Sequence, residues 1–258
     1  MAGGSTLAGG ARGAVTVVAG DAALAETLVG RFVAAARSAV AQGGSFRVAL
    51  AGGTTPAAAY QVLAEEHKAD LPWSQMHVFW GDERPVPPDH PDSNYRMAAE
   101  HLLRHVPIPP EQIHRMRGEA QDLDAAAGEY GRELARAFGI TPGGAPPAFD
   151  LILLGMGPEG HTASLFPDSP ALGSRAWVEA PFVPQLGMRR ITLTPQVINA
   201  AHQVVFAVGG QNKAAALKAV QATHAEPERY PARVVAPETG ALEWLVERDL
   251  ALAAGLTG

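Results

Sequence analysis

A glycine-rich segment with a glutamate and a histidine two positions apart is the part of this sequence best suited to acid–base chemistry. It reads Gly-Met-Gly-Pro-Glu-Gly-His from Gly155 to His161 and directly follows the apolar run Phe149–Leu154. A carboxylate beside an imidazole fixes the imidazole tautomer and raises its basicity. Glu159 and His161 therefore indicate a general base acting on water. Judged without its neighbours, the segment also fits a turn that does no chemistry.

The same segment contains the G-x-G-x-x-G pattern of dinucleotide-binding loops, and Glu179 follows at roughly the spacing of a ribose-binding acid. That fingerprint requires a long helix directly behind the glycines. Pro167 and Pro170 would end such a helix after a turn or two. Glu159 would also repel a pyrophosphate. The sequence therefore disfavours a NAD-dependent dehydrogenase, which stays as an alternative.

A second segment places two glycines and two threonines between a predicted strand and a predicted helix: Gly52, Gly53, Thr54 and Thr55. Glycines allow a close backbone approach, and free N–H groups at a helix N-terminus attract phosphate. The segment lacks the lysine of a nucleotide P-loop, which argues against a nucleoside triphosphate. The alternative is an ordinary turn capped by Thr55, with Pro56 at the first helical position.

Charged side chains follow two other predicted strands. Asp82 and Arg84 come after His77–Trp80; Arg84 could clamp a phosphate or carboxylate, and Asp82 could orient a hydroxyl or act as a base. Lys213 opens a helix after Val204–Val208 and could reach a phosphate held by the glycine–threonine loop. For the Asp82–Arg84 turn and for Lys213, a solvated surface position is the alternative.

Two consecutive arginines, Arg189 and Arg190, precede a further predicted strand and could add a cation to the site. We expect one of the two to be only solvated. The sequence does not indicate which.

The elements that must position these residues are short apolar runs alternating with helical patterns. Strands are predicted at Val15–Val18, Phe46–Leu50, His77–Trp80, Phe149–Leu154, Trp177–Ala180, Arg190–Leu193, Val204–Val208 and Leu242–Val246. Helices are predicted at Ala22–Ala41 with Asp21 as N-cap, Pro56–Glu66, Ser93–Leu103, Leu123–Phe138, Lys213–Val220 and from Asp249. This order predicts an α/β fold: a mainly parallel, Rossmann-like sheet with helices on both faces. In such sheets ligands bind beyond the carboxyl ends of the strands.

Composition narrows the function classes. The chain has 258 residues, no cysteine and a net charge of −6. Disulfides, thiolate metal sites and cysteine nucleophiles are excluded, and a general nucleic-acid role is disfavoured. No stretch approaches the roughly 20 apolar residues of a membrane helix, and no signal peptide is recognisable. We expect a cytoplasmic protein with a disordered tail at residues 1–13 and one catalytic domain at 14–258.

The strand-end segments together resemble the 6-phosphogluconolactonase family, which is related to the glucosamine-6-phosphate deaminases. The resemblance extends over nearly the whole chain after about Val15. It is carried by Leu50–Pro56, Trp80–Arg84 with Ser93 and Asn94, Leu154–Pro167, Arg190–Pro195 with Asn199 and Ala200, and Gly209–Lys213. Ser164–Pro167 and the Gly-Asp-Glu-Arg form of the second motif are similar to the lactonase branch. Glu159 departs from the family, which most often has aspartate there.

The resemblance implies hydrolysis of 6-phosphogluconolactone to 6-phosphogluconate in the oxidative pentose phosphate route, without cofactor or metal. The chain would act on a small sugar-phosphate lactone as a monomer or weak homodimer, without nucleic acid or membrane. His161 would activate water and Glu159 would orient it, while Arg84 or backbone amides would stabilise the oxyanion. A hexosamine-phosphate isomerase or deaminase of the same fold is one alternative, and a sugar-phosphate sensing module is another.

Overall fold

A seven-stranded sheet forms the centre of the computed structural model, which describes residues 5–7 and 12–256. The strands are β1 (Ser5–Leu7), β2 (Ala14–Val18), β3 (Phe46–Leu50), β4 (Met76–Trp80), β6 (Leu151–Leu154), β11 (Gln203–Val208) and β12 (Ala241–Glu247). Their order in the sheet is β1-β2-β12-β11-β6-β3-β4. Six strands run parallel, and β1 joins the edge antiparallel to β2.

Helices cover both faces of this sheet. The helices α1 (Asp21–Ala41), α2 (Thr54–Glu66) and α3 (Asn94–Ala98) pack on one face, and α4 (Leu123–Phe138), α5 (Pro195–Ile198), α6 (Ala214–Gln221) and α7 (Arg248–Ala254) pack on the other. Along β6 the side chains alternate between the two cores: Ile152 and Leu154 face α4, whereas Leu151 and Leu153 face α1 and α2. A strand buried on both faces must be apolar throughout, as this one is.

Two smaller antiparallel sheets stand beside the main one. The first has the order β5-β10-β7, formed by Asp82–Glu83, Ile191–Leu193 and Val178–Glu179. The second is a hairpin of β8 (Phe182–Val183) and β9 (Met188–Arg189). Because β5 follows β4 after only Gly81, the three-stranded sheet lies at the carboxyl end of β4. Thr192 in β10 pairs with Asp82 in β5, so Arg190, which directly precedes β10, lies near the segment that contains Asp82 and Arg84.

The predicted fold class is confirmed, and two elements, Phe46–Leu50 and Leu123–Phe138, have the predicted bounds. Asp122 caps α4 by accepting a hydrogen bond from the backbone of Ala125, and Gly139 ends it in the left-handed conformation. The predicted cap of α1 was wrong, because Asp21 is the first helical residue and Gly20 holds the cap position.

Other corrections concern element ends and sheet membership. The predicted helix Ser93–Leu103 is α3, capped by Ser93, followed by a π-helical turn. The predicted strands Trp177–Ala180 and Arg190–Leu193 belong to the small antiparallel sheet instead of the main one.

The predicted disordered tail, residues 1–13, falls partly on residues 1–4 and 8–11, which lie outside the described residues. Within that segment Ser5–Leu7 forms β1, paired with β2. The single-domain prediction for 14–258 stays a prediction. Of the described residues, none belongs to a helix that is both long and apolar enough to cross a bilayer.

Candidate active site

A cleft of about 490 Å³ opens at the carboxyl ends of β3, β4, β6 and β11. The chain returns to this edge of the sheet after each parallel strand, so residues far apart in sequence meet there. Ten of the eleven predicted site residues line the cleft: Gly52, Gly53, Thr54, Thr55, Asp82, Arg84, Glu159, His161, Arg190 and Lys213.

The predicted acid–base pair faces this cleft. Nδ1 of His161 lies 3.0 Å from Oε1 of Glu159, and the two side chains are 26% and 38% exposed. The distance is that of an ion pair, but the angles are not those of a hydrogen bond, and Nδ1 has no aligned partner among the described residues. A carboxylate at Nδ1 favours the tautomer with its proton there. The Nε2 lone pair is then left for chemistry.

The surroundings of His161 favour the neutral form of its ring. The ring stacks on Phe166 with centroids 4.1 Å apart and planes 19° apart. Burial lowers the pKa of His161 below its ordinary value, while the negative charges of Glu159 and Asp82 oppose the shift. A neutral imidazole is the form that can accept a proton from water.

Gly157 makes room for this arrangement. The turn closes through hydrogen bonds from the Gly157 N–H to the His161 carbonyl at 2.9 Å and from the Gly160 N–H to the Gly157 carbonyl at 3.0 Å. A Cβ at Gly157 would lie 2.2 Å from Cε1 and Nδ1 of His161 and 2.9 Å from Oε2 of Glu159. Only glycine fits beside the pair without displacing it.

Asp82 joins three of the strand-end loops. Its Oδ2 accepts a hydrogen bond from the Ser164 hydroxyl at 2.6 Å, and its Oδ1 accepts one from the Asn94 amide at 3.1 Å. Asn94 in turn packs so closely on Gly52 that a Cβ there would lie 2.0 Å from Oδ1 of Asn94. Asp82 therefore holds the loops after β3, β4 and β6 together.

Glu83 is a buried carboxylate that is not among the predicted site residues. Only 2% of it is exposed. It accepts hydrogen bonds from the backbone of Arg84, Asn94 and Tyr95 and from the hydroxyl of Ser93. Burial raises the pKa of Glu83, and the three backbone donors oppose that shift. Glu83 thus fixes the start of α3 against the strand that carries Asp82 and Arg84.

Two arginines approach each other inside the cleft. The Nε atoms of Arg84 and Arg190 are buried and lack a hydrogen-bond partner among the described residues. Arg84 donates from Nη1 to the carbonyl of Asp92 at 2.5 Å. Burial and the nearby charge of Arg84 lower the pKa of Arg190. Two half-buried cations with donors to spare form a strong anion-binding arrangement.

A third cation, Lys213, closes a short 3-10 turn after β11 and lines the same cleft. Burial lowers the pKa of Lys213, while Asp21 opposes the shift. The amino end of α2 lies on the cleft as well, with Gly53 at its cap position and no side-chain cap. The capping role considered for Thr55 was wrong, because Thr55 is already the second residue of the helix.

Arg189 lies outside the cleft, so the structure does not bring it to the predicted phosphate site. Its side chain donates to the carbonyl of Ala180 and pairs with Asp124, and it lines a separate cavity. Arg190 lies between β9 (Met188–Arg189) and β10 (Ile191–Leu193) and lines the cleft, whereas Arg189 faces away from it.

The dinucleotide alternative finds no support in the geometry. After Gly160 the chain continues through turns to a 3-10 helix at Pro170–Gly173, so no long helix follows the glycines. Glu179 lines the other cavity and accepts a hydrogen bond from Ser174 at 2.5 Å. Within the described part of the chain, no group of three or more His, Asp or Glu is placed to hold a metal ion.

Comparison with known proteins identifies the family. A family model described as glucosamine-6-phosphate isomerases/6-phosphogluconolactonase matches residues 19–244. The chain belongs to this family. Among members called 6-phosphogluconolactonase, one from Synechocystis sp. (strain ATCC 27184 / PCC 6803 / Kazusa) is 46% identical over 213 residues, which are 82% of this chain and 85% of the relative.

Solved structures agree with the family. The crystal structure of a protein called devB superposes with a TM-score of 0.84 at 31% identity, covering 92% of this chain and 98% of its own. A 6-phosphogluconolactonase from Trypanosoma cruzi superposes with a TM-score of 0.80 at 28% identity, covering 92% and 95% of the two chains. The sequence resemblance to the 6-phosphogluconolactonase family is thus confirmed.

Proposed function

We propose that this chain is a 6-phosphogluconolactonase, which hydrolyses 6-phosphogluconolactone to 6-phosphogluconate. The observation that carries the proposal is the shared cleft. The cleft is lined by His161, which has a carboxylate near Nδ1 and a pKa lowered by burial, by three half-buried cations and by the N-terminus of α2. The first group suits activation of water, and the second suits a phosphorylated, anionic substrate.

The phosphate is bound by the loop Gly52–Thr55 at the start of α2, together with Lys213 and Arg190. Backbone N–H groups at a helix N-terminus and flexible ammonium or rigid guanidinium groups all favour phosphate oxygens. Holding this remote dianion fixes the sugar ring so that its lactone carbonyl faces His161. Binding energy from the phosphate is then used to orient the reacting carbon.

His161 acts as the base. Its Nε2 takes one proton from water while the hydroxide oxygen bonds to the lactone carbon, C1. Glu159, at 3.0 Å from Nδ1, stabilises the positive charge that His161 gains. The carbonyl oxygen becomes an oxyanion, which Arg84 and backbone amides of the glycine-rich loops stabilise.

Ring opening completes the reaction. The bond between C1 and the ring oxygen breaks, the oxyanion returns to a carbonyl, and His161 gives its proton to the departing ring oxygen. The product acid then ionises. The water-and-base mechanism needs no metal, cofactor or covalent intermediate, and the lactone also opens slowly without an enzyme, so a modest barrier reduction is sufficient.

We propose further that the chain acts in the oxidative pentose phosphate route, in the cytoplasm, as a monomer or weak homodimer. Residues 14–258 form its single catalytic domain. Its net charge of −6, without a basic run, supports the absence of a nucleic-acid partner.

The test is acid release from freshly prepared 6-phosphogluconolactone, with spontaneous opening subtracted. The wild-type chain should accelerate release, and His161→Ala should reduce kcat by about 100-fold or more, as expected for loss of a general base. His224→Ala is a matched control, because His224 is exposed. Unchanged turnover in His161→Ala would remove the base assignment.

The family description also includes glucosamine-6-phosphate isomerases. Incubation with glucosamine 6-phosphate, followed by assays for ammonia and fructose 6-phosphate, separates the two activities. Release of both products without lactone hydrolysis would replace the lactonase proposal by a deaminase.

A further inference from the structure

The β8–β9 hairpin delivers two neighbouring arginines to different places. Arg190 follows directly after β9 and lines the cleft, whereas Arg189, the last residue of β9, lines a separate cavity of about 460 Å³. The hairpin is otherwise held mainly by pairs between two-residue strands. Strands this short supply few hydrogen bonds, so side-chain contacts at the base of the hairpin matter for its orientation.

Arg189 makes those contacts. Its Nε donates to the carbonyl of Ala180 at 2.8 Å, and its Nη2 donates to the same oxygen at 2.5 Å. Nη2 also pairs with Asp124 in the first turn of α4. The guanidinium group of Arg189 therefore links β9 to Ala180, which precedes β8, and to α4 of the main fold.

The backbone of Arg190 is hydrogen-bonded to Pro181, the residue after Ala180. Its N–H donates to the carbonyl of Pro181 at 3.1 Å. Ala180 and Pro181 are thus held by consecutive arginines, one through its side chain and one through its backbone. Fixing Arg189 consequently fixes the point from which the Arg190 side chain enters the cleft.

Arg190 needs such support. Its side chain is half-buried beside Arg84, and its Nε has no hydrogen-bond partner among the described residues. Burial and repulsion by Arg84 favour movement of Arg190 into solvent and outweigh the attraction of Asp82, Glu83 and Asp92, because the pKa of Arg190 is lowered on balance. A hairpin that is anchored on its outer side opposes that movement.

We propose that Arg189 is a positioning residue that holds Arg190 in the cleft, chiefly by its two hydrogen bonds to Ala180. The inference rests on the proposed function, because it concerns binding of the anionic substrate. The pair with Asp124 contributes little, since the Asp124 side chain is 68% exposed.

The experiment is a double-mutant cycle on lactone hydrolysis with Arg189→Met and Arg190→Met; methionine keeps most of the aliphatic stem and removes the donors. Arg189→Met should raise KM about tenfold with kcat within about threefold, because Lys213 and the loop Gly52–Thr55 still orient the phosphate and the weakened Arg190 contact then appears mainly in KM. In the Arg190→Met background the same change should alter kcat/KM by less than about twofold. Non-additivity of this kind shows that one residue acts through the other.

Three further variants test which property of Arg189 matters and control for the loss of a surface charge. Arg189→Lys keeps the positive charge but lacks the planar, two-pronged donor arrangement of a guanidinium group. Its KM should therefore lie between those of wild type and Arg189→Met. Asp124→Asn should stay within about twofold of wild type. Arg117→Ala, which breaks an exposed pair with Glu129, is the control for loss of a surface arginine. If Arg189→Met folds poorly, as shown by thermal melting, the cycle is run with Arg189→Lys.

Additive losses in the cycle, or an unchanged KM in Arg189→Met, would overturn the positioning role while leaving the lactonase proposal intact. Wild-type protein that does not accelerate lactone opening would instead overturn the proposed function and, with it, this inference. Measuring lactone hydrolysis by the wild-type protein first therefore distinguishes the two failures.

Discussion

Gly157→Ala is expected to disable the site while leaving the fold intact. The added Cβ would lie 2.2 Å from Cε1 and Nδ1 of His161, whereas favourable contacts begin at about 3.5 Å, so the ring must retreat by about 1.3 Å. A misplacement of this size costs roughly 100-fold in rate. Overpacking itself costs about 1–3 kcal/mol, which a domain stable by about 5–15 kcal/mol tolerates.

The assay is kcat/KM for lactone hydrolysis, together with thermal melting to verify folding. Gly173→Ala is the matched control, because a Cβ there meets nothing within 4 Å and Gly173 does not line the cleft. The backbone of Gly157 does not have a positive φ, so alanine introduces no conformational strain there. Activity in Gly157→Ala within about twofold of wild type would refute the idea that His161 must occupy its observed position.

Three further predictions follow from the same cleft. Lys213→Met should reduce kcat/KM about 10- to 100-fold on the phosphorylated lactone and little on the unphosphorylated one, with exposed Lys218→Met as control; equal losses on both substrates would remove Lys213 from the phosphate site. Because burial lowers the pKa of His161, its base form persists on acidification, so kcat/KM should fall only below about pH 6.5. Glu159→Gln removes a charge that raises this pKa and should move the acidic limb to still lower pH; a limb moving upward contradicts the pairing. Treatment with EDTA should leave turnover unchanged, and restoration by an added divalent metal after a loss would contradict the metal-free mechanism.

The main elements could be predicted because local patterns determine them. Phe46–Leu50 is an apolar run between polar segments, and Leu123–Phe138 has a helical pattern between Asp122 and Gly139. The small antiparallel sheet could not be placed in the same way. Its strands have only two or three residues each, and its pairing of Ile191 with Glu83 joins positions more than a hundred residues apart. Tertiary contacts determine such strands more than local propensity does.

The site was predictable at the level of loops but not of contacts. Residues at the ends of parallel strands must converge, which brought Asp82, His161 and Lys213 together from their positions alone. The hydrogen bond from Ser164 to Asp82 and the burial of Glu83 depend on side-chain directions that only the folded chain defines. Glu83 lies directly between the predicted site residues Asp82 and Arg84, and this position was the signal in the sequence that could have indicated its role.

The Nε donors of Arg84 and Arg190, which lack a partner among the described residues, have a practical consequence for work with the purified protein. We expect dissolved anions to bind in the cleft of the folded chain alone, and at concentrations above their Kd to raise its apparent stability in proportion to the logarithm of their concentration. Melting temperatures recorded in phosphate or sulfate are then expected to describe an occupied cleft, and rates recorded there to include competition with the substrate. Buffers built from zwitterions are the appropriate reference for every variant described above.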